Sequence, residues 1–124
     1  MIARALAPLA LALTLSLSGG PAGAESPPLS EAQKIDALIQ AVADLRGAVF
    51  IRNGSEYDGK SAADHLRLKR EKAGSRVKTA DDFIRLCGST SSMTGRPYEI
   101  RFADGETATS EAFLRARLAE LEAK

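Results

Sequence analysis

The chain is 124 residues long, with 17 Lys and Arg against 16 Asp and Glu, and 44% of its residues are hydrophobic. A balance so close to neutral excludes bulk attraction to nucleic acid or to an anionic membrane, and an aromatic content of 5% leaves little on which to stack bases. One cysteine, Cys87, excludes an internal disulfide, and one histidine, His65, leaves no paired spacing for a four-ligand zinc site, so neither a metal nor a cofactor is expected.

Met1 to Ala24 reads as a secretory signal peptide. Arg4 supplies a short positive start, Ala5 to Leu17 is apolar apart from Pro8, Thr14 and Ser16, and Ala22-Gly23-Ala24 has the small-x-small form of a cleavage site. Cleavage after Ala24 leaves a mature chain that starts at Glu25. The apolar run falls short of the ~20 residues that a spanning helix needs, and it ends in Gly19, Gly20 and Pro21. No transmembrane segment is expected in the mature chain. Arg4 is the only charge lost with the signal, so the remainder balances at 16 against 16.

Residues 25–29, with Pro27 and Pro28, form a short extended tether, and residues 30–124 form one domain. Ser30 and Gln33 make a capping-box pattern for a first helix whose Ile35, Leu38, Ile39, Val42 and Leu45 recur at helical spacing until Gly47. Ala48 to Arg52 is β-prone, and Asn53-Gly54 signals a tight turn toward Tyr57, although a later strand is an equally good partner. Ser61 with Asp64 is expected to cap a second helix running to Ala73 and closed by Gly74. Thr79 with Asp82 caps a third helix carrying Phe83, Ile84, Leu86 and Cys87, and Ser89 to Gly95 is a loop. Tyr98 to Phe102 alternates as a strand, Asp104-Gly105 turns, Glu106 to Thr109 returns, and Ser110 opens a last helix with Leu114, Leu118 and Leu121 on one face. The expected class is α+β, about four helices packed on a small antiparallel sheet.

The second helix carries the most chemical information. Ala62, Leu66 and Ala73 share a stripe into which Lys69 also falls, and His65 lies one turn earlier on the same side. Lys69 either snorkels along the core or joins His65 in a polar pair suited to an anionic ligand. The hydroxyls of Ser89, Thr90, Ser91, Ser92 and Thr94 either satisfy their own backbone or offer donors to a phosphate, carboxylate or sugar. The basic run Lys60 to Lys78 reads as a solvated helix face, and Cys87 as a buried, inert thiol. No nucleophile-elbow or S-x-x-K pattern is present, so no catalytic residue is assigned.

Phe50-Ile51-Arg52-Asn53-Gly54 with Tyr57, His65-Leu66 with Lys69, Thr79-Ala80-Asp81-Asp82-Phe83-Ile84, and Ser91-Ser92 with Gly95, Pro97 and Tyr98 together resemble the YfeK-like family of small exported bacterial proteins of unknown function. The resemblance spans nearly the whole mature chain and implies a periplasmic protein of the Gram-negative envelope, with no activity, cofactor or catalytic residue to transfer. Within those blocks Arg52, Asn53, Tyr57, His65, Lys69, Ser91, Ser92 and Tyr98 are polar groups that a packed core does not require. They are expected to converge where the first turn, the second helix and the serine-rich loop meet. The leading expectation is a non-enzymatic domain that binds a small anionic ligand, a cell-wall fragment or another envelope protein. The alternatives are a small serine/histidine hydrolase or transferase, which needs a serine hydroxyl within roughly 3 Å of His65 or one water away, and a purely structural hydrogen-bond network.

Overall fold

Ser30 starts the first helix by a reciprocal pair of bonds: its hydroxyl accepts from the Gln33 backbone N–H at 3.1 Å, and the Gln33 side chain accepts from the Ser30 N–H at 2.8 Å. Two of the orphan donors of a helix start are thereby satisfied. The helix, α1, spans Glu31–Ala43 and buries Ile35, Leu38, Ile39 and Val42. These observations come from a computed structural model that describes residues 27–124; the signal peptide expected at 1–24 lies outside the described residues.

Strand β1 (Val49–Arg52) turns through Asn53 and Gly54 into β2 (Ser55–Tyr57). Both turn residues have positive φ, 52° and 83°, the left-handed pair of a type I′ hairpin turn, which Asn-Gly adopts at least cost. Both candidate partners of β1 are realised: it pairs with β2 on one side and with β3 (Glu99–Arg101) on the other. Strand β4 (Thr107–Thr109) completes an antiparallel sheet of order β2-β1-β3-β4. The register places Phe50 opposite Tyr57 and Ile100, and Ile100 opposite Ala108. Phe50 and Ile100 are buried, so this row faces the helices.

The second helix, α2, spans Gly59–Ala73, and its cap is Asp58, whose carboxylate accepts from the Ser61 N–H at 2.8 Å. The expected cap, Ser61, is the donor of that bond. Gly59 is buried at the first position of α2, and a Cβ there would lie 2.7 Å from the Val42 carbonyl oxygen and 3.2 Å from that of Ala43. The start of α2 therefore abuts the end of α1, an arrangement in which opposite ends of two helix dipoles meet.

Thr79 and Asp82 form the expected capping box of a third helix, α3 (Ala80–Phe83), which continues as a π-helical turn over Ile84–Gly88. Glu31 reaches across from α1 to accept the Ala80 N–H at 2.8 Å, and that bond first, then Lys34, holds its carboxyl below the usual range. The wider turn leaves the Ile84 carbonyl to the Ser89 hydroxyl, which donates to it at 2.6 Å. Gly88 packs against α4 (Ser110–Ala123), where an added Cβ would come 2.5 Å from the Leu114 Cδ1. The architecture is α+β, four helices with a four-stranded antiparallel sheet. The core joins α1, α2, the 80–88 segment, α4 and the inner face of the sheet, and Cys87 lies in it. Burial raises the Cys87 thiol pKa, which suits an inert thiol.

Candidate functional site

The β1–β3 register ends at Ile51–Glu99, and continuing it by one residue puts Arg52 level with Tyr98, whose carbonyl accepts the Ser110 N–H at 2.8 Å. Arg52, Tyr98 and Ser110 thus form a polar row beside the apolar one, on the face that α2 crosses. His65 and Lys69, one turn apart on α2, meet this row. Lys69 Nζ donates to the Tyr98 hydroxyl at 2.9 Å and to the Thr90 carbonyl at 3.0 Å. Arg52 Nη2 donates to the Tyr57 hydroxyl at 3.0 Å, and Tyr57 is shifted to lower pKa by that bond.

Arg52 Nη1 lies 3.0 Å from His65 Nδ1 and 2.9 Å from Nε2; an in-plane approach at these distances would collide with Cε1, so Nη1 lies over the ring and engages one nitrogen at a time. Arg52 and Lys69 only donate, and a neutral imidazole offers one acceptor. With the proton on Nε2, Nδ1 accepts from Arg52 and Nε2–H faces the Tyr98 oxygen at 3.3 Å. Tyr98 then accepts from both Lys69 and His65 and keeps its own O–H free to donate. Burial first, then the charges of Arg52, Lys69 and Lys72, push the His65 pKa down to about 4.

That shift has a definite sign. The unfolded imidazole takes up a proton at about pH 6.5, whereas the folded one does so only at about 4. The stability linked to His65 is therefore complete above pH ~6.5 and is lost as the pH falls toward 4. The carboxyls of Glu31, Asp58, Asp64 and Asp82 are also held low, so their contribution is lost only at still more acid pH. An NMR titration should give a His65 midpoint near 4, and one near 6.5 would show a solvated ring.

A second set of bonds holds the serine-rich loop. Asn53 Nδ2 donates to Ser91 Oγ at 3.0 Å, and Thr94 Oγ1 donates to Asn53 Oδ1 at 2.6 Å. The Ser91 hydroxyl, nearly buried, also accepts from the N–H groups of Met93 and Thr94. Seven of the eight expected site residues therefore enter two adjacent bond sets, one with Arg52, Tyr57, His65, Lys69 and Tyr98 and the other with Asn53 and Ser91. Ser92 takes part in neither; it is exposed in the turn that Ser91 holds.

Between α2 and the inner face of the sheet lies a cavity of about 280 Å³. Phe50, Ile51, Ala62 and Leu66 give it a largely carbon surface, and Arg52, Tyr57, Ser61, His65, Tyr98, Glu99 and Ser110 add polar groups. Sequence reasoning missed Ser110, Ala62 and the Thr90 carbonyl. The period-2 alternation of Phe50 with Arg52 and of Tyr98 with Ile100 was a usable signal that Arg52 and Tyr98 point inward. The hydroxyl beside His65 is that of Tyr98, and the Ser89 and Ser91 hydroxyls are engaged elsewhere. Neither Arg52 nor Lys69 forms an ion pair with a carboxylate among the described residues.

A family of unknown function, DUF5329, matches residues 29–122, which include both bond sets and the cavity. The chain belongs to this family. The chain is also similar to the uncharacterized protein YfeK of Salmonella typhimurium, 40% identical over 68 residues, 55% of this chain and 57% of that protein. The chain thus matches little more than half the length of that relative. No solved structure matches the chain. No helix among the described residues is long and apolar enough to cross a membrane.

Proposed function

We propose that this DUF5329 protein is a non-enzymatic periplasmic domain that binds a small anion, free or carried on a cell-wall fragment or envelope protein, beside Arg52. The observation that carries the reading is a guanidinium without a carboxylate partner among the described residues, at the wall of a cavity and next to a neutral imidazole and two tyrosine hydroxyls. A half-buried cation held by neutral groups has charge left to offer an anion. Lys69 adds a second positive charge behind Tyr98. Periplasmic location is the part of the proposal that rests on the signal-like sequence of Met1 to Ala24.

Isothermal titration of the purified protein with phosphate, carboxylate and muropeptide compounds tests this. A bound anion should raise the His65 midpoint, because it adds negative charge beside the ring. Arg52→Gln should weaken binding by about 10- to 100-fold, the loss of one charge-assisted hydrogen bond. Binding that survives Arg52→Gln unchanged would place the site elsewhere. If no compound binds and Arg52→Gln instead lowers the melting temperature strongly, the polar row is a structural network.

A further inference from the structure

We infer that the ligand is a monocarboxylate with an apolar group of a few carbons to the size of one aromatic ring, the carboxylate meeting Arg52 and the apolar part filling the cavity between α2 and the sheet. This inference rests on the anion-binding reading above and names its ligand class.

The shape and lining of the cavity restrict the ligand. At about 280 Å³ it sits at the small end of ligand sites. Phe50, Ala62 and Leu66 supply no hydrogen bonds, so a sugar or a phosphorylated sugar would leave its hydroxyls unpaired there, at the cost of their desolvation. Apolar carbon, by contrast, gains from leaving water.

Charge restricts it further. Arg52 is the one cationic side chain in the lining, and Lys69 is committed to Tyr98 and Thr90. Glu99 also borders the cavity, and strand alternation turns its side chain to the face opposite Tyr98. A single guanidinium beside a neutral imidazole matches one negative charge, and a dianion would bury a second charge that no cation of the lining meets. The planar fork of a guanidinium also suits a planar carboxylate. In the Nε2–H tautomer of His65 the Tyr98 O–H is a further donor at the same end of the cavity.

The test is calorimetric titration of the purified full-length protein with five probes: 3-phenylpropanoate, 3-phenylpropan-1-ol, inorganic phosphate, acetyl-Ala-Phe with a free carboxylate, and the amide of that dipeptide. The expected result is that one or both free carboxylates bind at least about tenfold more tightly than the alcohol, the amide and phosphate. Binding of phenylpropanoate identifies a free acid as the source, and binding of the dipeptide acid alone identifies a peptide C-terminus. Arg52→Gln should remove the advantage over the alcohol. Ala62→Leu, which fills the cavity and keeps the charge, should weaken the carboxylate with no effect on fold by circular dichroism. Arg117→Gln, on the exposed face of α4, should leave affinity unchanged.

Equal affinity for acid and alcohol would overturn the inference, as would full affinity in Ala62→Leu. Arg52-dependent binding of phosphate with none of the carboxylates would overturn the ligand class while leaving the anion site standing. Loss of all binding to all anions would remove both.

Discussion

Phe83→Ala should lower the unfolding free energy by about 3–5 kcal/mol, the range for truncating a buried aromatic side chain. Phe83 is the largest of the fully buried side chains, at 0% exposure. It ends α3, and the 80–88 segment packs against α1, α2 and α4, so no single neighbour can move into the space without leaving another contact. In the π-helical turn that follows, Gly88 lets the Leu114 Cδ1 pack close against the backbone. For a domain of this size, whose total stability is of the order of 5–15 kcal/mol, such a loss should lower Tm by roughly 15 °C or more. Chemical and thermal denaturation measure it directly. A shift of only a few degrees would show that the core collapses around the missing ring and that the four-element packing is looser than described.

Gly59→Ala has the second largest expected effect, and its sign depends on two opposed contributions. Replacing a helical glycine with alanine favours the helix by at most about 1 kcal/mol. Here the added methyl would lie 2.7 Å from the Val42 carbonyl oxygen, a backbone atom that cannot rotate away. Overpacking of this kind costs typically about 1–3 kcal/mol. The contact also lies where the end of α1 runs beside the start of α2 in a side-by-side antiparallel pair that Arg70 and Asp36 join farther along, so relief requires the two helices to move apart. The expected result is a net loss of about 1–2 kcal/mol in urea denaturation, with amide shifts concentrated at Val42 and Ala43. A stabilised Gly59→Ala would mean that the helix ends are farther apart.

The start of α2 also shows how far sequence patterns reach. Asp58 and Ser61 are both capping residue types three positions apart, and they prove to be the two ends of one bond, carboxylate accepting and N–H donating. Choosing Ser61 as the cap is natural because glycine is a poor residue with which to begin a helix. What places Gly59 inside α2 is the approach of α1, a contact 17 residues back along the chain to Val42. The third helix shows the same division. Its capping box at Thr79 and Asp82 is local and was legible, whereas its widening into a π turn at Ile84–Gly88 accompanies close packing against Leu114.

The candidate site was legible as a set of residues and not as an arrangement. Arg52, Tyr57, His65, Lys69 and Tyr98 stand out because a core has no use for so many polar groups near an apolar stripe. That they split from Asn53 and Ser91 follows from register: the β1–β3 pairing puts Arg52 beside Tyr98, while the turn puts Asn53 over the loop. Ser92 was grouped with Ser91 by adjacency alone, and the backbone turns it outward. Lys69 ends on Tyr98 and the Thr90 carbonyl, so its ammonium meets His65 only through the shared Tyr98 hydroxyl.

By itself the sequence determined the α+β class, the first helix, the turns and the capping box of the third helix, because caps, turns and hydrophobic periods act within about four residues. The tertiary structure alone decided the strand order, the helix contact at Gly59, the neutral state of His65 and the cavity beside Arg52. These depend on groups far apart in the chain, Arg52 and His65 by 13 residues and Val49 and Arg101 by 52, whose meeting is set by register and by the packing of helices on the sheet.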